Sequence, residues 1–146
     1  LIFADIDTDG HSIWQYNAMG RSWHAMIASD KVKVLDGIWI YSRDLATIPL
    51  MFEKDPLMAP PMKICYQGWN AIGFSDTTSA PARDTLLSIE GKWTTVIGFD
   101  AQKQAPEVSI ISGSWSGIHC DGREMYPTKG YWLYSNDDTE LAAIGA

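Results

Sequence analysis

The chain has 146 residues, 46% of them hydrophobic and 20% charged, which excludes disorder as its main state and gives enough length to bury a core. Its formal net charge is −7 and its 11 Lys and Arg residues are scattered singly, so it lacks the basic face a nucleic-acid partner demands. No apolar run approaches the roughly 18 to 20 residues of a membrane-spanning helix, and a start at Leu1 with no signal segment before it fits a mature secreted protein or an excised fragment.

Taken in chain order, the first feature is Asp5-Ile6-Asp7-Thr8-Asp9-Gly10. Alternate carboxylates followed by a turn glycine match the opening of a calcium loop, and Asp5, Asp7 and Asp9 are the candidate ligands. The twelfth position of that loop is Tyr16 rather than a bidentate glutamate, so an acidic surface turn is the competing reading and no other cofactor is expected. Short period-two segments follow at 12–16, 23–27 and 37–42, too short for helices and rich in aromatic and β-branched residues. A further strand is expected at 47–52, where Pro49 points to an edge or a bulge. The stretch 54–62 holds Pro56, Pro60 and Pro61 and reads as a linker.

Beyond it, strands are predicted at 62–66 and 69–74 around the turn Gln67-Gly68. One helix is predicted: Thr78 or Ser79 caps it, Pro81 sits in its first turn, Leu86, Leu87 and Ile89 form its apolar stripe, and Gly91 ends it. Strands at 93–99, 108–111, 130–135 and 141–144 complete the chain. The expected class is mainly β, with antiparallel sheets forming a sandwich or open barrel and one short helix near 80–90.

An internal repeat organises these elements. Gly37-Ile38-Trp39-Ile40-Tyr41-Ser42-Arg43-Asp44 matches Gly130-Tyr131-Trp132-Leu133-Tyr134-Ser135-Asn136-Asp137, identical at five of eight positions. Upstream, Ile13-Trp14-Gln15-Tyr16-Asn17 parallels Val96-Ile97-Gly98-Phe99-Asp100. The second copy alone carries the strand Gly68-Trp69-Asn70-Ala71-Ile72-Gly73 and the helix. The reading is one compact unit over 1–146, with a partial pseudo-repeat at 11–53 and a complete one at 63–146. A half unit leaves strand edges unpaired unless it packs on the full unit or on a neighbouring molecule.

The order Gly68-Trp69-Asn70-x-Ile72-Gly73, then Lys92-Trp93-Thr94, Gly98-Phe99-Asp100 and Met125-Tyr126-Pro127-x-Lys129-Gly130-Tyr131-Trp132 resembles the repeated β domains of surface-layer and sheath-type proteins of methanogenic archaea. The resemblance covers 66–146 well and 11–53 through the Gly-x-Trp-x-Tyr strand. It implies an extracellular, non-catalytic protein built into a cell envelope, such as a subunit of a tubular sheath, with copies of itself as partners. The motif is one of packing and specifies setting better than activity.

Chemistry-bearing clusters are sparse. Cys65 and Cys120 fit no metal or haem pattern and are disulfide candidates, within the chain or between chains. His119-Cys120-Asp121 is no nucleophile–base pair, because adjacent residues on an extended chain point to opposite sides. Glu90, Glu107 and Glu140 are single carboxylates, without the pairing that glycosidases use, and no phosphate loop or nucleophile elbow occurs. The seven tryptophans are the strongest signal. Trp39 and Trp132 occupy equivalent repeat positions and are expected as core or interface anchors, alongside Gly37, Tyr41, Gly130 and Tyr134. Trp115, in Ser112-Gly113-Ser114-Trp115-Ser116-Gly117, is expected to reach a partner from a flexible loop, with Trp14 and Trp23 as further interface candidates. Self-assembly into a layer, sheath, tube or filament is therefore expected, and a secreted carbohydrate-binding module that stacks sugars on tryptophan, with cell-surface polysaccharide as partner, is the alternative.

Overall fold

The computed structural model describes residues 2–48 and 59–144. The protein is mainly β, its strands short and antiparallel, and among the described residues no sheet closes into a barrel. Three strands come first: β1 (Trp14–Asn17), β2 (Ser22–Ala25) and β3 (Ile38–Trp39), in the order β2-β1-β3. The body follows with β4 (Met62–Cys65), β5 (Gly68–Gly73), β6 (Ala80–Pro81), helix α1 (Ala82–Thr85), a 3-10 turn (Leu87–Ile89), β7 (Trp93–Asp100), β8 (Ala105–Pro106), β9 (Ile110–Ile111), β10 (Glu124–Met125), β11 (Gly130–Ser135) and β12 (Thr139–Ala142). Its main sheet runs β5-β11-β7-β8, with β9 also on β7, while β12 pairs with β4 and β10 with β6.

Alternation along β11 divides the main sheet into two faces. Tyr131, Leu133 and Ser135 point inward with Ile72 and Asn70 of β5 and Val96 of β7, and all six are buried. Ala82, Leu86 and Ile89, together with Cys65, Met125 and Leu141, close the core over that face. Trp132 and Tyr134 point outward beside Trp69 and Ile97.

The predicted helix is much shorter than its punctuation implied. Pro81 is the residue before the helix rather than inside it, and Leu86 leaves helical geometry at φ −103° and ψ 18°. Leu86 and Ile89 are buried, whereas Leu87, expected on the apolar stripe, is exposed. Leu86 and Ile89 stand three residues apart and share a face in either kind of helix, so one helical turn followed by a 3-10 turn is enough to bury both. The strand expected at 37–42 is paired over Ile38–Trp39 alone, because β3 lies at a sheet edge with a neighbour on one side. Residues 49–52 of the strand expected at 47–52 and 54–58 of the expected linker lie outside the described residues.

The repeated segments pair in the same register. Trp39 faces Trp14 and Ile38 faces Gln15 across β3 and β1, while Trp132 faces Ile97 and Tyr131 faces Gly98 across β11 and β7. These are the residues that the sequence alignment sets equivalent. The copies differ on the other side, where β11 has β5 as a second neighbour and β3 has none among the described residues.

Burial perturbs two acids in the core. Desolvation pushes the Cys65 thiol up to about 11 from its ordinary 9.0. It pushes the Tyr131 phenol up to about 12 from 10.0, against a backbone N–H of Tyr126 that donates to its oxygen at 2.7 Å. Both groups ionise more readily in the unfolded chain, so their contribution is full below pH 9 and is lost as pH rises from 9 to 12. The thermal midpoint is expected to hold steady between pH 7 and 9 and then fall, with Cys65→Ala removing the early part of that fall. A midpoint that rises above pH 9 contradicts this assignment.

Candidate functional site: a tryptophan cleft

The small sheet lays one face against the outer face of the main sheet. Period-two alternation puts Trp14 and Tyr16 of β1 on that face, and cross-strand pairing sets Trp23 of β2 opposite Tyr16 and Trp39 of β3 opposite Trp14. Trp132 rises from the main sheet to meet them. Its ring is 5.0 Å from Tyr16, 5.6 Å from Trp23 and 6.5 Å from Trp69, each edge-to-face. Trp69 stacks edgewise on Tyr134 at 5.1 Å, and Trp39 on Phe99 at 4.8 Å. Edge-to-face pairs are worth about 0.5 to 1.5 kcal/mol each beyond area burial, so the aromatic layer holds the two sheets together.

That layer is not closed. Trp14, Trp23, Trp39 and Trp132 line an open cleft of about 470 Å³. Trp14, Trp23, Trp39 and Trp69 remain 37% to 46% exposed, whereas Trp93 is buried. The repeat-equivalent pair Trp39 and Trp132 thus anchors the sheet junction and also walls the cleft. Among the described residues the four that line it are tryptophans, whose indoles offer flat apolar faces and one N–H each and no carboxylate, amide or hydroxyl.

Close backbone contact fixes the small sheet in place. Residues 35–37 cross β5, where the Gly73 N–H donates to the Leu35 carbonyl at 2.8 Å and Asp36 bridges Ile72. The equivalent repeat glycines meet there, since a Cβ on Gly130 would lie 4.0 Å from the Gly37 Cα. Asp36 adds a polar clamp. Lys63 Nζ donates to its Oδ1 at 2.6 Å, and Gln15 Nε2 and the Lys33 N–H donate to its Oδ2 at 3.0 and 2.9 Å. Asp36 was invisible as a tie point in the sequence, because its partners come from three separate segments.

The Gly-Trp-Asn-x-Ile-Gly motif has a physical reading here. Gly68 sits at φ +103°, which excludes a side chain, Asn70 clasps the turn, Ile72 fills the core and Gly73 allows the crossing. Tyr41 lies outside the strands, exposed, with its ring 4.5 Å from His11.

Trp115 is 86% exposed, as expected, but its loop is pinned rather than loose. The Asp121 carboxylate accepts from the Gly113 N–H at 3.0 Å, and the Asp121 N–H donates to the Ser114 carbonyl at 2.9 Å. Arg123 Nη1 donates to the carbonyls of Val108 at 2.7 Å and Ile118 at 3.0 Å. Gly113 and Gly117, at φ +75° and +79°, make the two turns.

The remaining sequence candidates are dispersed. The bond considered between Cys65 and Cys120 is not formed, and both thiols are free. Cys65 is sealed in the core at the end of β4, so neither an internal nor an inter-chain bond reaches it without opening the strand, whereas the Cys120 sulfur is half-buried and accepts from the Gly122 N–H at 3.3 Å. A thiol reagent is expected to modify Cys120 in the native protein and Cys65 only on unfolding; equal rates for both contradict the burial. His119 Nδ1 lies 2.9 Å from the Ser109 carbonyl and is turned to that strand rather than to Cys120. Glu107 is ion-paired with Lys129.

Asp5, Asp7 and Asp9 do not converge on a point. The Asp7 carboxylate accepts from the Asp9 N–H at 2.9 Å, and Asp9 faces Arg43 at 3.5 Å. Among the described residues no group of three or more His, Cys, Asp or Glu is placed to hold a metal ion. No helix among them is long and apolar enough to cross a membrane. Comparison with known protein families, characterised proteins and solved structures returns no match.

Proposed function

We propose that the chain is an extracellular, non-catalytic structural protein that assembles with copies of itself into a cell-envelope layer, sheath or filament. The observation that carries the reading is the exposed tryptophan surface. Five of the seven indoles, Trp14, Trp23, Trp39, Trp69 and Trp115, stand in solvent, although a lone domain gains by covering such large apolar rings. Among the described residues β3 has no strand on its second side, which adds backbone groups open to pairing beside them. The resemblance to envelope β domains supports the same setting, and the net charge of −7 keeps the remaining surface hydrated.

Negative-stain electron microscopy of the concentrated chain is expected to show sheets, hoops, tubes or filaments. Dispersed particles of one chain's size at every concentration overturn the proposal.

The cleft favours a second reading, a carbohydrate-binding module, since indole faces stack on sugar rings. Among the described residues its lining offers none of the polar side chains that fix sugar hydroxyls, which places this reading second. Retention on an insoluble polysaccharide, lost in Trp39→Ala, would bring it to the front.

A further inference from the structure

We infer that Trp115 of one copy inserts into the tryptophan cleft of the next, so that the chain propagates by a head-to-tail knob-in-cleft contact. The inference deepens the self-assembly proposal and rests on it.

The knob is preorganised. Trp115 projects from a loop whose base is tied by Asp121 and Arg123, and Ile118 and Ile111 beside it are also exposed. A side chain presented by a fixed loop loses little freedom on docking, which is what an anchor residue needs. The cleft of about 470 Å³ lies within the ~300–1,000 Å³ range that admits a small ligand, so one indole enters with room for its flanking backbone. An incoming indole meets indole edges and faces, the pairing already used between Trp23 and Trp132.

Charge selects a second copy over other occupants. Two copies that each carry −7 repel, so they approach best where neither surface is charged. Residues 108–119 contain no Asp, Glu, Lys or Arg, and neither do β1, β2 and β3, which bear three of the four cleft tryptophans. A basic partner would find no carboxylate on those strands, and a sugar would find no polar side chain among the described lining residues. Trp115 does not line the cleft of its own chain, so knob and cleft are separate surfaces, and a copy joined through its knob still offers its cleft to the next. Such a contact extends into a ring or filament instead of stopping at a dimer. One tryptophan covers ~150–250 Å², far below the ~1,200 Å² of a stable pair, so each contact is weak and assembly needs high protein concentration.

Sedimentation velocity over a concentration series tests the contact with the wild type, Trp115→Ala, Trp39→Ala and an equimolar mixture of the two variants. Trp23→Ser serves as a second cleft variant, and circular dichroism checks that each variant is folded. The wild type is expected to form oligomers larger than dimers. Each variant alone is expected to associate about thirtyfold or more weakly, the loss typical of a tryptophan hot spot. The mixture is expected to reach a dimer and stop, since one variant keeps the cleft and the other keeps the knob. A Trp115→Ala protein that assembles like the wild type overturns the inference while leaving self-assembly standing. So does a mixture that stays monomeric where the wild type polymerises. A wild type that stays monomeric throughout overturns the self-assembly reading itself, and the knob-in-cleft contact with it.

Discussion

Asn70→Asp is expected to be the most damaging conservative substitution in the body of the protein, costing about 3 kcal/mol at pH 7. Asn70 has no exposed surface. Its Nδ2 donates to the carbonyls of Tyr66 at 2.7 Å and Gly68 at 3.0 Å, while its Oδ1 accepts from the Tyr66 N–H at 2.9 Å. The amide thus closes the β4–β5 turn with one acceptor and two donors. Aspartate matches the acceptor but aims a second buried oxygen at two carbonyl oxygens. An ionised carboxylate there is desolvated and faces like partial charges, so its pKa must rise in the folded state. Stability of the variant is therefore highest below the ordinary carboxylate pKa and falls as pH rises through the raised value. Chemical denaturation at pH 4 and pH 7 checks the sign; a variant more stable at pH 7 contradicts it. Asn70→Ala lacks the charge, loses all three bonds, and is expected to cost about 2 to 4 kcal/mol with no such pH dependence.

Gly37→Ala is expected to unseat the small sheet while leaving the main sheet folded. A Cβ at Gly37 would lie 2.8 Å from the Ile72 nitrogen, 2.9 Å from the Ala71 carbonyl carbon and 2.9 Å from the Ile72 oxygen. All three are backbone atoms of β5, held in register by β11, and cannot swing aside like a side-chain tip. Separating the crossing breaks the hydrogen bond from Gly73 to Leu35 and strains the Asp36 clamp. It also draws Trp14, Trp23 and Trp39 away from Trp132, so the cleft ceases to exist. The core of Leu133, Ile72, Val96 and Leu86 lies on the other face of the main sheet and is expected to persist. The measurement is tryptophan emission with denaturant unfolding. A red-shifted native spectrum, with most of the main transition retained, is expected. A wild-type spectrum would show that the crossing has room. Gly73→Ala should behave alike, since its Cβ would lie 2.8 Å from the Asp36 oxygen.

Local signals made some elements legible and left others hidden. The strand 130–135 was readable because Gly130 and Ser135 bracket an alternating apolar run, and the structure pairs that range on both sides. The repeat was readable for the same reason, and its upstream alignment coincides with the strand register. The short helix near 80–90 was legible but its bounds were not, because Pro81, Leu86, Leu87, Ile89 and Gly91 are also the punctuation of a single turn followed by a 3-10 turn. Propensity does not encode how much core face must be covered. The two-residue strands Ala80–Pro81 and Glu124–Met125 carried no local signal, because each exists only through the other, and Ala105–Pro106 is too short a return onto Phe99 and Asp100 to show a period.

The cleft was half legible. Trp14, Trp23 and Trp115 stood out as exposed candidates, and they are exposed. Trp39 and Trp132 read as packing residues from their repeat positions. The sequence held no sign that the small sheet would face the main one at a distance that leaves a cleft between four indoles. Cys65 illustrates the converse. Two cysteines in a chain with an extracellular resemblance invite a disulfide, and burial at the end of β4 removes one of them from reach.

The most direct test of the central claim is hydrogen exchange on the dilute and concentrated protein, read peptide by peptide. If the chain assembles through its tryptophan surface, concentration is expected to protect 14–17, 22–25 and 38–39 together with the loop 112–118, while exchange in 93–99 and 130–135 stays the same. Identical exchange at both concentrations, or protection confined to other surfaces, would contradict assembly through the knob and the cleft.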